Sequence, residues 1–293
     1  ENSAVGTQAE AGGGAAAVSA SDVDAGDVLA FSLGGGNTGG AFRIDASTGQ
    51  LSVAVAVLDR ESLQSFSLDV TVTDGGSLSG TATVAVTVLD ANDAPVLADV
   101  AVAVDENSGA GTVVATIAAA DEDAADTLSY AIVGSQTTFD IGAGNGVLEV
   151  AAGATVDFEA QSAFVLTVLA TDNGVPALST SATVAIALND LNEAPVLDDA
   201  AREVAENSVV NGLVGDPVVA TDVDAGQALS YSLTAGNSAG LFKINACSGQ
   251  IQVATAAIDF ETQPSYTLTV TVGDDGSPRL QDTAEVIITV LDV

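Results

Sequence analysis

Histidine, methionine and tryptophan are absent from the 293-residue chain, and cysteine occurs once, at Cys247. Without an imidazole, every mechanism that needs a histidine base, proton shuttle or metal ligand is closed. A lone thiol forms no internal disulfide and lacks the second sulfur of a zinc or redox motif, so Cys247 reads as an ordinary small residue. Positive charge is scarce as well: Lys and Arg total 5 against 40 Asp and Glu, a formal net charge of −35. A nucleic acid or an anionic membrane would be repelled before contact formed. No apolar run approaches the ~18 residues of a transmembrane helix, which argues against direct membrane insertion. No basic, apolar leader opens the chain either. A start at Glu1-Asn2-Ser3 without Met reads as a mature segment or a fragment of something longer.

What is present is a folded chain. Hydrophobic residues make up 47% and mean hydropathy is +0.42, too apolar for an acidic disordered tail. Length alone suggests about two domains, but internal repetition gives three. Glu-Asn-Ser occurs at Glu1, Glu106 and Glu206. Asp-x-Asp follows at Asp22/Asp24, Asp121/Asp123 and Asp222/Asp224, then Phe-x-Ile at Phe42, Phe139 and Phe242. Asp-x-Glu comes next at Asp59/Glu61, Asp157/Glu159 and Asp259/Glu261, and an Asp in a Gly turn at Asp74, Asp172 and Asp274. The first two units close with acidic linkers, Asp90-Ala-Asn92-Asp93-Ala-Pro95 and Asp190-Leu-Asn192-Glu193-Ala-Pro195, and the third ends at Asp292-Val293. This order places boundaries at 1–95, 96–196 and 197–293.

Between landmarks, apolar and polar residues alternate. Phe66, Leu68, Val70 and Val72 interleave with Ser67, Asp69, Thr71 and Thr73; Ala82, Val84, Val86 and Val88 do the same. Phe164-Leu166-Val168 with Val184-Ile186-Leu188, and Tyr266-Leu268-Val270 with Val286-Ile288-Val290, repeat the pattern. Period-two alternation rich in Val and Thr, with Gly/Asp/Ser turns in units near 100 residues, predicts an all-β chain of tandem antiparallel sandwiches. Short strands containing Val100-Val102-Val104 and Glu203-Val204-Ala205 precede the second and third Glu-Asn; the first has none, so its edge is expected to be incomplete or supplied from elsewhere. The first unit also has 21 residues from Glu1 to Asp22, against 15 and 16 in the others. The extra length falls in Glu10–Ala17, a flexible loop by composition.

Acids clustered in loops beside Asn and backbone carbonyls suit a hard cation, and calcium takes six to eight oxygen ligands in irregular geometry. Left alone, converging carboxylates repel by about 4 kcal/mol per pair at 4 Å and an effective dielectric near 20. Any one Asp-x-Asp is equally well a solvated loop; the whole ordered set, three times over, is not.

Glu-Asn, Asp-x-Asp, Leu58-Asp59-Arg60-Glu61 and Asp90-x-Asn92-Asp93-x-x-Pro, in this order over nearly the whole chain, resemble the motifs of cadherin repeats. The Ala/Gly-rich texture is similar to bacterial cadherin-like repeats. The resemblance implies Greek-key, immunoglobulin-like sandwiches in an elongated rod, with Ca2+ between consecutive repeats. It implies a first site from Glu1, Asp59 and Glu61, linker Asn92 and Asp93 with the carbonyls of Ala91 and Ala94, and Asp121, Asp123 and Asp172. The second site would draw on Glu106, Asp157, Glu159, Asn192, Glu193, Asp222, Asp224 and Asp274, with the carbonyls of Leu191 and Ala194. Half-sites remain at the ends: Asp22, Asp24 and Asp74 at one, Glu206, Asp259 and Glu261 at the other.

Three positions depart from the pattern. Glu193 stands where the family has Asp, Arg60 is replaced by Phe158 and Phe260, and Ala125 replaces Gly26 and Gly226, so that loop is expected to turn differently. The functional expectation is calcium-dependent extracellular adhesion or surface assembly, with further copies or neighbouring repeats meeting end to end. A passive spacer is the first alternative and a polysaccharide-binding module the second, weakened because Tyr130, Tyr231 and Tyr266 are the only tyrosines and sit in core-like strand contexts. Catalysis is not expected. Gly236-Asn-Ser238-Ala-Gly240 matches a nucleophile elbow but has no histidine to serve it, and acids that recur in each repeat do not behave as a single glycosidase pair.

Overall fold

The computed structural model describes residues 1–11, 14–15, 17–24, 26–55 and 58–293. Among these described residues there are twenty strands and one short 3-10 turn, and no helix is long and apolar enough to cross a membrane. The first repeat contributes β1 (Glu10–Ala11), β2 (Gly14–Ala15), β3 (Ala30–Leu33), β4 (Phe42–Ile44), β5 (Leu51–Val53), β6 (Ser65–Thr73) and β7 (Ser79–Thr87). The second has β8 (Val100–Asp105), β9 (Val113–Thr116), β10 (Ser129–Ile132), β11 (Phe139–Ile141), β12 (Val147–Val150), β13 (Ala163–Thr171) and β14 (Ser179–Asn189). The third has β15 (Ala200–Ala205), β16 (Ser230–Ala235), β17 (Phe242–Ile244), β18 (Ile251–Val253), β19 (Ser265–Gly273) and β20 (Gln281–Leu291).

Each repeat is built on a long antiparallel hairpin: β6–β7, β13–β14 and β19–β20. The alternating residues set its register, because a one-residue slip would turn the whole apolar face to water. Leu68, Val168, Leu268, Val270 and Val286 are fully buried. Burial of a side chain of this size contributes about 1.5–3 kcal/mol. A second layer (β4–β5, β11–β12–β9, β17–β18) closes the sandwich. The layers meet at one edge-to-face ring pair per repeat: Phe42–Phe66, Phe139–Phe164 and Phe242–Tyr266, with centroids 5.0, 5.1 and 5.2 Å apart. Such pairs are worth ~0.5–1.5 kcal/mol beyond their buried area.

The tyrosines are structural. Tyr130 and Tyr231 accept the amides of Ala119 and Ala220 at 3.0 Å, and Tyr266 packs on the core of the third repeat.

Parallel first strands complete the long sheets of two repeats: β8 runs beside β14, and β15 beside β20. Among the described residues β7 has no such neighbour. Val84 and Val86 are consequently only half-buried, whereas Val184, Ile186, Val286 and Ile288 are at most 1% exposed.

The Glu10–Ala17 insertion departs from the flexible loop expected of it. Glu10–Ala11 pairs with Gly14–Ala15, and Ala17 bridges Gln50. Gly12, Gly13 and Ala16 lie outside the described residues.

Candidate metal centres

The Glu-Asn motif forms the same latch in every repeat. Asn2, Asn107 and Asn207 take left-handed φ values of +55° to +57°, a conformation Asn tolerates better than most residues. This turns the preceding glutamate inward. Glu106 accepts the amides of Phe158 at 2.8 Å and Leu191 at 2.7 Å. Glu1 accepts those of Arg60 (2.5 Å) and Ala91 (2.9 Å), and Glu206 those of Phe260 (3.2 Å) and Val293 (3.1 Å). Each glutamate thus ties the Asp-x-Glu loop to the linker that leaves the repeat. Burial alone would raise the Glu1 carboxyl, but the Arg60 and Ala91 amides prevail and hold it below the usual carboxylate range.

The linker then docks on the next repeat. Asp93 N–H donates to Asp123 Oδ2 at 2.7 Å, and Glu193 N–H to Asp224 Oδ2 at 2.8 Å. Asn92 Nδ2 donates to Asp172 Oδ2 (3.1 Å) and the Pro176 carbonyl (2.9 Å). Asn192 repeats this on Asp274 (3.1 Å) and Pro278 (3.0 Å). Gly174 and Gly276 make the approach feasible: a Cβ there would lie 1.6 and 1.5 Å from the Asn92 and Asn192 oxygens. Burial opposes ionisation of Asp172 and Asp274, but the Leu178 and Leu280 amides and the linker Asn side chains hold both below their ordinary value.

Carboxylates from three parts of the chain therefore converge. Oxygens of Glu61, Asp90 and Asp123 lie within 4.8 Å of one another, as do those of Glu159, Glu193 and Asp224. Glu1, Glu61 and Asp93 form a further group, as do Glu106, Asp157 and Glu159. Arg60 is the cation at the first junction, 3.0 Å from Asp90 and 3.6 Å from Glu61, and it lines a cleft of about 690 Å³ with Glu61, Asp90, Asn92, Asp123 and Asp126. Beside it, and at the second junction, acids face one another. Burial and then neighbouring carboxylates raise Asp126 (Asp123, Asp172, Asp121, Asp90) and Glu159 (Glu106, Asp190, Asp224). Burial likewise raises Glu193, with Glu106, Asp224 and Glu159 adding to it against a hydrogen bond from Asn107.

The donor set fits a hard divalent cation. Asp121 Oδ2, Asp126 Oδ2, Asp222 Oδ2 and Glu193 Oε2 are buried without a hydrogen-bond partner, a costly state for an acceptor unless a cation answers it. The carbonyls of Ala91, Ala94, Leu191 and Ala194 accept no hydrogen bond among the described residues. Every donor is an oxygen, as calcium prefers and zinc does not.

Some expected ligands also bond within their own turns. Asp59 and Asp259 are held by their own turns through the amide and hydroxyl of Ser62 and Thr262. Asp121 and Asp222 each give one oxygen to the amide two residues on, as Asp22 does for Asp24. At the first end Asp22 groups with Asp27 and Asp74. Asp27, Asp90 and Asp126 are absent from the motif-based ligand set, although the third acid of Asp-x-Asp-x-x-Asp was visible in the sequence. Ala125 turns as expected: it is not left-handed, whereas Gly26 and Gly226 have φ of +109° and +91°.

The family model described as "Cadherin domain" matches residues 4–89, 101–189 and 201–291. The chain belongs to the cadherin domain family. Its curated relatives include the human cadherin EGF LAG seven-pass G-type receptor 2, 34% identical over 290 residues, which cover 94% of this chain and 10% of that protein. Human protocadherin Fat 4 is 33% identical over 277 residues, 90% of this chain and 5% of that protein. The chain thus spans a tenth or less of the length of these relatives. Among solved structures, mouse cadherin-23 EC22-24 matches with a TM-score of 0.70 at 26% identity, covering 100% of this chain and 94% of that one. Protocadherin gamma B2 extracellular cadherin domains 3-6 match at 0.68 and 26%, covering 99% and 70%. The three sandwiches are cadherin repeats.

Proposed function

We propose that the two junctions are calcium-binding joints that stiffen a cadherin rod, and that the rod serves cell-surface adhesion or assembly. One observation carries this reading: at each junction an acid of the upper repeat, one of the linker and one of the lower repeat meet within 4.8 Å. The first joint would use Glu1, Asp59, Glu61, Asn92, Asp93, Asp121, Asp123 and Asp172, with Asp90 added, and the Ala91 and Ala94 carbonyls. The second would use Glu106, Asp157, Glu159, Asn192, Glu193, Asp222, Asp224 and Asp274, with the Leu191 and Ala194 carbonyls. Bound calcium supplies a positive charge shared by both repeats. The chain's own part is to bring the acids together, through the Glu1 and Glu106 latches above and the Asn92 and Asn192 docks below.

Repeat boundaries at 1–95, 96–196 and 197–293 place each acidic linker at the end of the repeat it leaves. The reading is non-enzymatic. A bacterial-type surface protein as its setting is supported by the Ala/Gly-rich texture alone; the curated relatives named above are human proteins. The end groups Asp22/Asp24/Asp74 and Glu206/Asp259/Glu261 support partners that meet the rod end to end, either further copies or neighbouring repeats.

Sedimentation velocity in millimolar calcium and in chelator tests the joints. The expected result is an extended particle in calcium that becomes more compact or heterogeneous in chelator, with Asp123→Ala mimicking chelator at the first joint. Identical sedimentation in both conditions would overturn the reading. Association only in calcium supports adhesion between copies, whereas a strictly monomeric rod supports a spacer.

A further inference from the structure

The two junctions share a plan but differ at one position beside the linker asparagine. Three residues after the second acid of Asp-x-Asp stands Asp126 at the first junction and Gln227 at the second. At the second, Gln227 Nε2 donates to Asn192 Oδ1 at 2.6 Å. Asn192 is then fully engaged: its amide nitrogen serves Asp274 and Pro278, and its oxygen receives Gln227. At the first junction Asn92 makes the two equivalent nitrogen contacts, but no donor reaches its oxygen among the described residues. An ionised Asp126 has no hydrogen to give. Its Oδ2 is instead buried without a partner beside the orphaned Asp121 Oδ2; at the second junction Asp222 Oδ2 and the neutral Gln227 Oε1 are left in the same state, so the two sites differ in charge and in the clasp on the asparagine.

We propose that this position sets how far each joint depends on its cation: Gln227 is a neutral clasp that holds the second linker without an ion, and Asp126 is an additional cation ligand that makes closure of the first linker conditional on one. The inference rests on the calcium reading above and adds to it. A carboxylate pulls harder on a divalent cation than a neutral amide oxygen does, and it adds repulsion when the cation is absent, which an amide does not. The first joint therefore switches, and the second stays closer to its bound geometry throughout. On calcium withdrawal the rod bends first between its first and second repeats.

Hydrogen exchange of the full chain, read by mass spectrometry on peptides covering 90–95 and 190–195, reports both joints separately. In chelator the first linker should exchange about tenfold faster than the second, the scale of one lost hydrogen bond plus one added like charge. Asp126→Gln should slow the first linker in chelator yet raise, by about three- to tenfold, the free calcium needed to protect it. Gln227→Asp should do the reverse at the second linker. Opposite signs in the two conditions separate this role from simple damage, which would speed exchange in both. Because Arg60 and Arg279 also differ between the junctions, each variant is compared with its own wild-type linker, and unchanged exchange in β13 or β19 reports an intact sandwich. If calcium protects both linkers but the two substitutions leave them unmoved, the inference fails and the calcium joints stand. If calcium protects neither linker, the joints fail and the inference falls with them.

Discussion

The first and third repeats carry the same landmarks, yet only the third has a closed long sheet. In the third, β15 runs beside β20, and Ala284, Val286, Ile288 and Val290 are at most 3% exposed. In the first, the matching strand β7 has no neighbour along that side among the described residues. Its apolar face instead lines a groove with Phe42, Leu51, Val53 and Leu58. The Glu1 nitrogen donates to the Leu89 carbonyl at 2.6 Å, the same contact that Glu206 N–H makes with Leu291 at 3.0 Å. The lesson is that alternation specifies which face is meant for burial, while a neighbouring strand decides whether burial is complete.

Core truncation should show this most strongly. Leu68 and Leu268 are both fully buried, but the looser first repeat can collapse around a void. Leu268→Ala should cost about 4 kcal/mol and Leu68→Ala about 2–3 kcal/mol, read as shifts of separate transitions in calorimetry with calcium. Equal losses would break the comparison. Next in size is repair of the edge. Placing Val-Ala-Val-Ala-Val-Asp, a copy of β8, directly before Glu1 should stabilise the first repeat by about 1–2 kcal/mol, the burial of three valines less the entropy of ordering the strand. No change in the first repeat's transition would mean that the groove does not accept a strand in the β8 register.

Gly76 sharpens the contrast at the turn. A Cβ on Gly174 or Gly276 would collide with the docked linker asparagine, whereas one on Gly76 meets only the Asp74 side chain at 3.4 Å. Gly276→Ala should therefore cost about 1–2 kcal/mol by displacing hydrogen-bonded Asn192 and should weaken calcium binding in titration calorimetry; Gly76→Ala should be close to neutral in both.

The smallest effect concerns acid. In the β4–β5 turn, the Ser47 hydroxyl and the Thr48 and Ser47 amides hold Asp45 down to about 2. The corresponding Asn245 receives the Cys247 and Ser248 amides with no charge to lose. A carboxyl lowered on folding stabilises above its unfolded value of 3.8 and loses that contribution as pH falls towards about 2. The first repeat's melting point should thus decline through that window with a slope that Asp45→Asn removes; an unchanged slope would place the acid sensitivity elsewhere.

Much of the candidate site was legible because its motifs recur in fixed order. Glu1, Glu106 and Glu206 stand out as repeated acids, and their equivalent latches follow. Asp90 and Asp126 were harder to see as candidate ligands. Nothing local to Asp126 says that it faces Asp90, 36 residues earlier in the chain. Asp59 carries a second role that its motif does not announce: the Ser62 amide and hydroxyl bond its carboxylate within its own turn.

By itself the sequence determined the strand pattern, the three-fold repetition and the sign of the charge at each junction, since these depend on local alternation and composition. Only the tertiary structure decided which carboxylates share a space and which oxygen is left without a donor. Those outcomes depend on contacts between residues as distant as Glu1 and Ala91. Such contacts are set by how whole sheets and linkers pack, not by any short stretch of chain.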